Sequence, residues 1–288
     1  MNILLNNPIA NLHGSDFLRF YIVVIILTTL SCYIHIRIIN NKDSNVPSIP
    51  INPDPYEIAF LKGKTTEVVK LAFLKLIQLN YVQVEDNKIC FINRIIPNST
   101  LSSLEKYFVD YYSDPKNFHD IINTAAKLKI TKEYCHRYSL KLQKYNLLNS
   151  TESQINLLKW NIFGSLLLFS LGAYKLIVSL INGYNNVGFT AILMVISPLI
   201  LYSICHNIRI TKNGKKYLKN LRFAFKDIKK QSKHLVASDP KFLLLAGLFG
   251  VSSLAGTPYE SYSNIFVSDG SGDSGSSCGG GCGGGCGG

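Results

Sequence analysis

The 288-residue chain is short of charge, and of negative charge above all. Asp and Glu number eighteen against thirty Lys and Arg, and charged residues make up 17%, where soluble domains carry ~25%. With hydrophobic residues at 47% and a mean hydropathy of +0.15, this excludes an intrinsically disordered chain and points away from an ordinary soluble enzyme. Catalytic signatures are missing as well: no P-loop, dinucleotide fingerprint, Gly-x-Ser-x-Gly elbow or His-Glu-x-x-His is present. Cys135-His136 and Cys205-His206 are adjacent pairs, and neighbours on a helix point ~100° apart and chelate poorly. Cys32 and His35, on one helix face, read as packing residues.

What is present is a net charge of +12, which calls for an anionic partner: lipid, nucleic acid or acidic protein. The apolar residues are clustered. Seventeen uncharged residues, Phe20 to Ile36, separate Arg19 from Arg37. With the arginines snorkelling, the run is long enough to cross a bilayer and predicts a first transmembrane helix over 17–39. From Trp160 to Ile208 only Lys175 is charged, and the polar turn Asn182-Gly183-Tyr184-Asn185-Asn186 splits the stretch into a second and third span, 159–182 and 188–208. A snorkelling Lys175 is the simpler reading, and a buried functional cation the alternative. Cleavage of helix one as a signal, or lipidation at Leu30-Ser31-Cys32, is disfavoured by a long n-region and by Thr29 where an aliphatic residue is wanted.

Residues 209–233 carry ten basic residues and one acid, which places that side in the cytoplasm. Parity then puts residues 1–16 outside and 40–158 inside. Within 209–237, Tyr217, Leu218, Leu221, Ala224, Phe225, Ile228 and Leu235 recur at helical spacing, so the segment predicts a basic amphipathic helix. Lys215, Lys216, Lys219, Arg222, Lys226, Lys229, Lys230 and Lys233 are its candidate lipid-interface residues. The alternative packs the apolar stripe on the 40–158 domain and leaves the lysines solvated. The apolar stretch 241–256 is short for a crossing and reads as a re-entrant, interfacial or packed helix, with a fourth crossing as the alternative.

A Pro/Asn-rich linker (40–53) leads to a candidate cytoplasmic domain, 54–158. Asp54-Pro55-Tyr56-Glu57 starts a helix stopped at Gly63, and a second runs from about Thr66 to Leu79 and ends at Asn80. Tyr81–Val84 and Ile89–Ile92 bracket a turn. Helix, helix, hairpin is the winged-helix order. Ser102-Ser103-Leu104-Glu105 predicts a capping box, Asp114-Pro115 a further helix start, and Thr131 a cap for a helix ending near Tyr145. Leu74-Lys75-Leu76 with Asn80-Tyr81-Val82 is matched by Leu140-Lys141-Leu142 with Asn146-Leu147-Leu148 at a constant offset of 66 residues, and duplication or coincidence both account for it. A net +3 over 40–158 is a weak footprint for nucleic acid, so a protein-interaction module is preferred to a membrane-tethered DNA-binding regulator.

The final segment, 268–288, holds Cys278, Cys282 and Cys286 among glycines. Such a stretch has no side chains for a core and reads as a disordered low-complexity tail. Three thiols at four-residue spacing form a candidate Zn²⁺ or Cu⁺ site; otherwise no cofactor is indicated. Met1 and Met194, the only methionines, argue against a thioether copper site. The fold expected is thus a mainly α membrane protein with three transmembrane helices, a small cytoplasmic α+β winged-helix-like domain and a disordered tail. Its expected partners are membrane lipids and proteins.

Asn52-Pro53-Asp54-Pro55-Tyr56-Glu57-Ile58-Ala59-Phe60-Leu61-Lys62-Gly63, then Thr211-Lys212-Asn213-Gly214 with Leu218, and the Gly/Cys terminus resemble an uncharacterised family of bacterial membrane proteins. Its members place a hydrophobic domain before a Gly/Cys-rich tail. The resemblance implies a multi-pass protein of the bacterial inner membrane and carries over no functional residues. Lysine and asparagine stand here where that family has more glycine and arginine.

Overall fold

The computed structural model describes residues 13–40, 46–85, 88–92, 101–112, 116–182, 188–205 and 209–267, which are mostly helical. In chain order the first elements are α1 (Gly14–Asn40), α2 (Pro55–Gln78), β1 (Val82–Glu85), β2 (Lys88–Phe91), α3 (Ser103–Tyr111), β3 (Lys116–Asn117), α4 (Phe118–Lys127) and α5 (Lys129–Lys144). They are followed by α6 (Thr151–Ile181), α7 (Gly188–Cys205), α8 (Lys212–Ala224), α9 (Lys226–Gln231), α10 (Lys241–Phe249) and α11 (Glu260–Val267). Two compact units result, drawing on the described parts of Met1–Ile49 with Arg137–Asn220, and of Pro50–His136 with Leu221–Gly288. The unit boundaries fall inside α5, between His136 and Arg137, and inside α8, between Asn220 and Leu221.

In the first unit, Gly14–Ile39 and Thr151–Ile181 are long and apolar enough to cross a membrane, with mean hydropathies of 2.2 and 1.8; α7 is apolar but shorter. α6 and α7 pack together and α1 packs on both. Among the described residues 34 large hydrophobic side chains are exposed, nine of them on α1, ten on α6 and seven on α7. Exposure concentrated in this way marks a surface suited to an apolar surrounding. The shared interior is small and held by hydrogen bonds, as expected where packing and polar contacts rather than hydrophobicity join helices. Buried Tyr21 of α1 donates its hydroxyl to the Leu168 carbonyl of α6 (3.0 Å) and pairs with Ser197 Oγ of α7 (3.2 Å), so one side chain ties three helices. Asn161 Nδ2 donates to the Leu201 carbonyl at 3.2 Å. Gly172 lets Met194 approach, since a Cβ there would lie 2.9 Å from Met194 Cγ.

Lys175 differs from the snorkelling expectation. Its residue is 6% exposed, with Nζ 5.5 Å from the Phe17 ring centroid. Because α1 and α6 run antiparallel, the start of one covers the end of the other, and the ammonium sits over an aromatic face.

The second unit is built on α2. Asp54 caps it, accepting from the Tyr56 N–H at 2.9 Å, with Pro55 in the first turn. The helix stops at Gly63 as expected: Gly63 and Lys64 leave helical geometry and divide α2 into two helical segments. β1 and β2 pair antiparallel from Val82↔Phe91 to Glu85↔Lys88, and β3 joins β2 through Lys88↔Asn117 and Ile89↔Lys116. The ladder therefore reaches one residue nearer the turn on each strand than expected, and gains a third strand. α3 begins where the capping-box residues predict, and Ser102 N–H donates to the Glu105 carboxylate at 2.7 Å. Asp114-Pro115 lies outside the described residues, and α4 is capped by Asn117, which accepts from His119 N–H. Thr131 does not cap α5. Leu128 takes extended backbone, so the helix starts at Lys129 and Thr131 is buried inside it.

The apolar stretch 241–256 is a packed element. Phe242 to Leu248 are all buried, α10 packs on α2, and a Cβ on Gly247 would lie 2.8 Å from the Pro55 carbonyl oxygen. Gly250, at φ 99°, ends the helix. α11 completes this core: Tyr262 donates to the Lys70 carbonyl at 2.6 Å, and its ring meets Phe118 edge to face.

Candidate membrane interface

The basic segment starts from a clamp within the first unit. α5 ends in a left-handed residue, Asn146 (φ 52°), with the Leu147 N–H bonded to the Leu142 carbonyl and the Asn146 N–H to Gln143. Asn80 (φ 58°) ends α2 in the same way, with Tyr81 bonded to Leu76 and Asn80 to Ile77. Both are Schellman closures with asparagine in glycine's usual place. The 66-residue sequence match is therefore one capping device used twice.

The chain beyond Leu147 bonds to the approach of α8. Leu148 bridges Ile210, and Asn149 N–H donates to the Arg209 carbonyl. Thr211 Oγ1 donates to the Asn146 carbonyl at 2.6 Å and accepts from Gly214 N–H at 2.9 Å. A Cβ at Gly214 would stand 2.2 Å from the Leu147 carbonyl oxygen, so only glycine fits here. The Thr211-Lys212-Asn213-Gly214 motif is thus the start of the basic helix.

All eight candidate lipid-interface residues are exposed. Lys215, Lys216 and Lys219 belong to the first unit, where Leu218 is buried. Arg222, Lys226, Lys229, Lys230 and Lys233 belong to the second, where Leu221 is fully buried and Phe225, Ile228 and Leu235 are half-buried. Most of the apolar stripe is buried or half-buried within its own unit, and Ala224 is exposed. An aromatic that the stripe did not include takes its place on the surface: Phe223, 82% exposed between Arg222 and Lys226. Its position one residue off the stripe is the signal that would have found it.

Local acids do little to offset this charge. Asp227 lies 3.7 Å from Lys230, and both side chains are well exposed. Lys229 Nζ sits 5.4 Å from the Phe249 ring centroid. Burial pushes the nearby Lys62 ammonium below its ordinary pKa; Glu67 opposes this, while Arg222 and Lys70 add to it.

Cys32 and His35 come together on one groove of the first unit. Cys135 is buried while His136 is exposed, so that pair diverges. Among the described residues no group of three His, Cys, Asp or Glu is placed to hold a metal. Cys278, Cys282 and Cys286 lie outside the described residues, as does His206. Comparison of the chain with protein-family models, curated proteins and solved structures finds no match.

Proposed function

We propose that the protein is a membrane-anchored interaction or scaffold protein, without catalysis of its own, that presents a basic surface to anionic lipid headgroups. In this reading α1, α6 and α7 are three spans of a bacterial inner membrane, with the N-terminal side outside. The winged-helix-like region and the basic segment are then cytoplasmic. α7 has 18 residues, a rise of ~27 Å against a hydrocarbon core of ~30 Å. Pro198 lies inside it, and neighbouring helices in a bundle make such a proline tolerable. The two segments of α2 followed by the β1–β2 hairpin support the winged-helix comparison.

The observation that carries the reading is the exposure of eight basic side chains on helices that follow directly on an apolar one. Near an anionic leaflet each contributes about 1 kcal/mol. Nucleic acid is the weaker candidate, because 40–158 carries only fifteen basic against twelve acidic residues.

Lysine acylation of the full chain tests this in nanodiscs of phosphatidylcholine, with and without phosphatidylglycerol. Modification of Lys215, Lys216, Lys219, Lys226, Lys229, Lys230 and Lys233 is expected to fall about fivefold per site in the anionic discs, the factor carried by ~1 kcal/mol. Equal modification in the two kinds of disc contradicts the lipid contact. Turnover chemistry mapped to a protein residue contradicts the non-catalytic reading.

A further inference from the structure

The first unit contains a groove of about 390 Å³ that the packing of its helices leaves open, within the ~300–1,000 Å³ of small-molecule sites. Its long wall is α1 from Leu27 to Ile38, faced by Trp160, Phe163, Gly164 and Leu167 of α6, with Leu201 of α7 at the back. Leu27 is the central residue of α1 and Ile38 lies at its last turn. The groove therefore covers half the helix, a rise of ~16 Å, close to the depth of one leaflet of a ~30 Å hydrocarbon core.

The lining is apolar in effect. Thr28, Ser31 and Cys32 also line it, and the Thr28 hydroxyl donates to its own helix, to the Val24 carbonyl at 2.8 Å. Towards the terminal end the His35 and Trp160 rings lie 5.4 Å apart. A mostly apolar slot of leaflet depth matches the chemistry of an acyl chain.

We propose that this groove holds one acyl chain of a membrane phospholipid. The inference rests on α1 and α6 spanning the membrane. Gly164 supplies the means of closing the groove. A Cβ there meets only Leu201 Cδ1, at an ordinary 3.5 Å, so alanine fits while the body of a leucine takes up the free space.

The test places the full-length chain in phosphatidylcholine–phosphatidylglycerol nanodiscs that carry a trace of phosphatidylglycerol with a photoreactive diazirine on its acyl chain. Adducts are mapped by mass spectrometry. Labelling is expected to concentrate on the 27–38 and 160–167 peptides, to survive Gly164→Ala and to fall about tenfold in Gly164→Leu, the factor carried by 1.4 kcal/mol.

Labelling spread evenly around α1, or unchanged in Gly164→Leu while Gly164→Ala and Gly164→Leu remain equally helical, overturns the proposal. So does a chemical cross-link between the groove peptides of two copies, which would make a second chain the occupant. Extraction of the protein from membranes by alkaline carbonate overturns the spanning reading itself. A membrane-integrated protein with an unlabelled groove overturns the lipid site alone.

Discussion

Replacing Lys75 with methionine strips the counter-ion from a carboxylate that has no access to water. Glu105 is 0% exposed and accepts from three donors: the Tyr56 hydroxyl, Ser102 N–H at 2.7 Å and Lys75 Nζ at 3.0 Å. The network joins both ends of α2 to the first turn of α3. Breaking a buried ion pair from one side costs ~3–5 kcal/mol, because the remaining charge stays buried. The Lys75 side chain is 23% exposed, so solvent already weakens the pair and the low end, about 3 kcal/mol, is expected. The chain's single tryptophan, Trp160, lies in the other unit, so its fluorescence does not report on this site. Hydrogen exchange of residues 103–111 in the detergent-solubilised full chain does. Lys75→Met should speed exchange there on the order of a hundredfold. Glu105→Gln removes the charge while keeping the shape, so the double variant should be more stable than Lys75→Met alone. Unchanged exchange in Lys75→Met, or a double variant worse than the single, refutes the reasoning.

Gly214→Ala forces a Cβ against the Leu147 carbonyl oxygen; thermal unfolding should show a loss of about 1–3 kcal/mol, and an unshifted transition would contradict the clamp. Burial, with Tyr111 and Tyr107 adding to it, pushes the Tyr112 hydroxyl up to about 12. A raised tyrosine pKa gives stability that is complete below pH ~10 and lost as pH rises through the folded value. Ultraviolet titration should therefore show a phenol ionising near 12 that is absent in Tyr112→Phe, and alkaline unfolding above pH ~10 should be less steep in that variant, Tyr259 and Tyr262, also raised by burial, supplying the remainder. Replacing Cys278, Cys282 and Cys286 with serine should leave Zn²⁺ and Cu⁺ affinity unchanged, as isothermal titration would read; a tighter parent chain would establish the thiolate site.

Local signals were readable wherever a backbone group needs a particular partner. Asp54 with Pro55, the Ser102/Glu105 pair and the left-handed Asn80 and Asn146 each answer a hydrogen-bonding demand of a helix end, and each stands where the residues indicate. The apolar runs of α1 and α6 were equally legible, because a span needs length and composition and little else. Long-range packing was not. Residues 242–248 read alike for a re-entrant, interfacial or core helix, and only the close approach to Pro55, permitted by Gly247, decides for the core. Lys175 looked like a snorkelling lysine until Phe17, more than 150 positions away in the chain, was placed beneath it. The same holds for the basic segment, where Leu218 and Leu221 are buried and Phe223 is left outside.

The most direct test of the membrane-anchored account is side-specific labelling. Single cysteines at Gly14 and at Lys215, in a chain otherwise free of cysteine, are exposed to a membrane-impermeant maleimide in intact and in lysed cells. The account predicts that the Gly14 position labels in both and the Lys215 position only after lysis. Labelling of Lys215→Cys in intact cells, or protection of both positions until lysis, would contradict it.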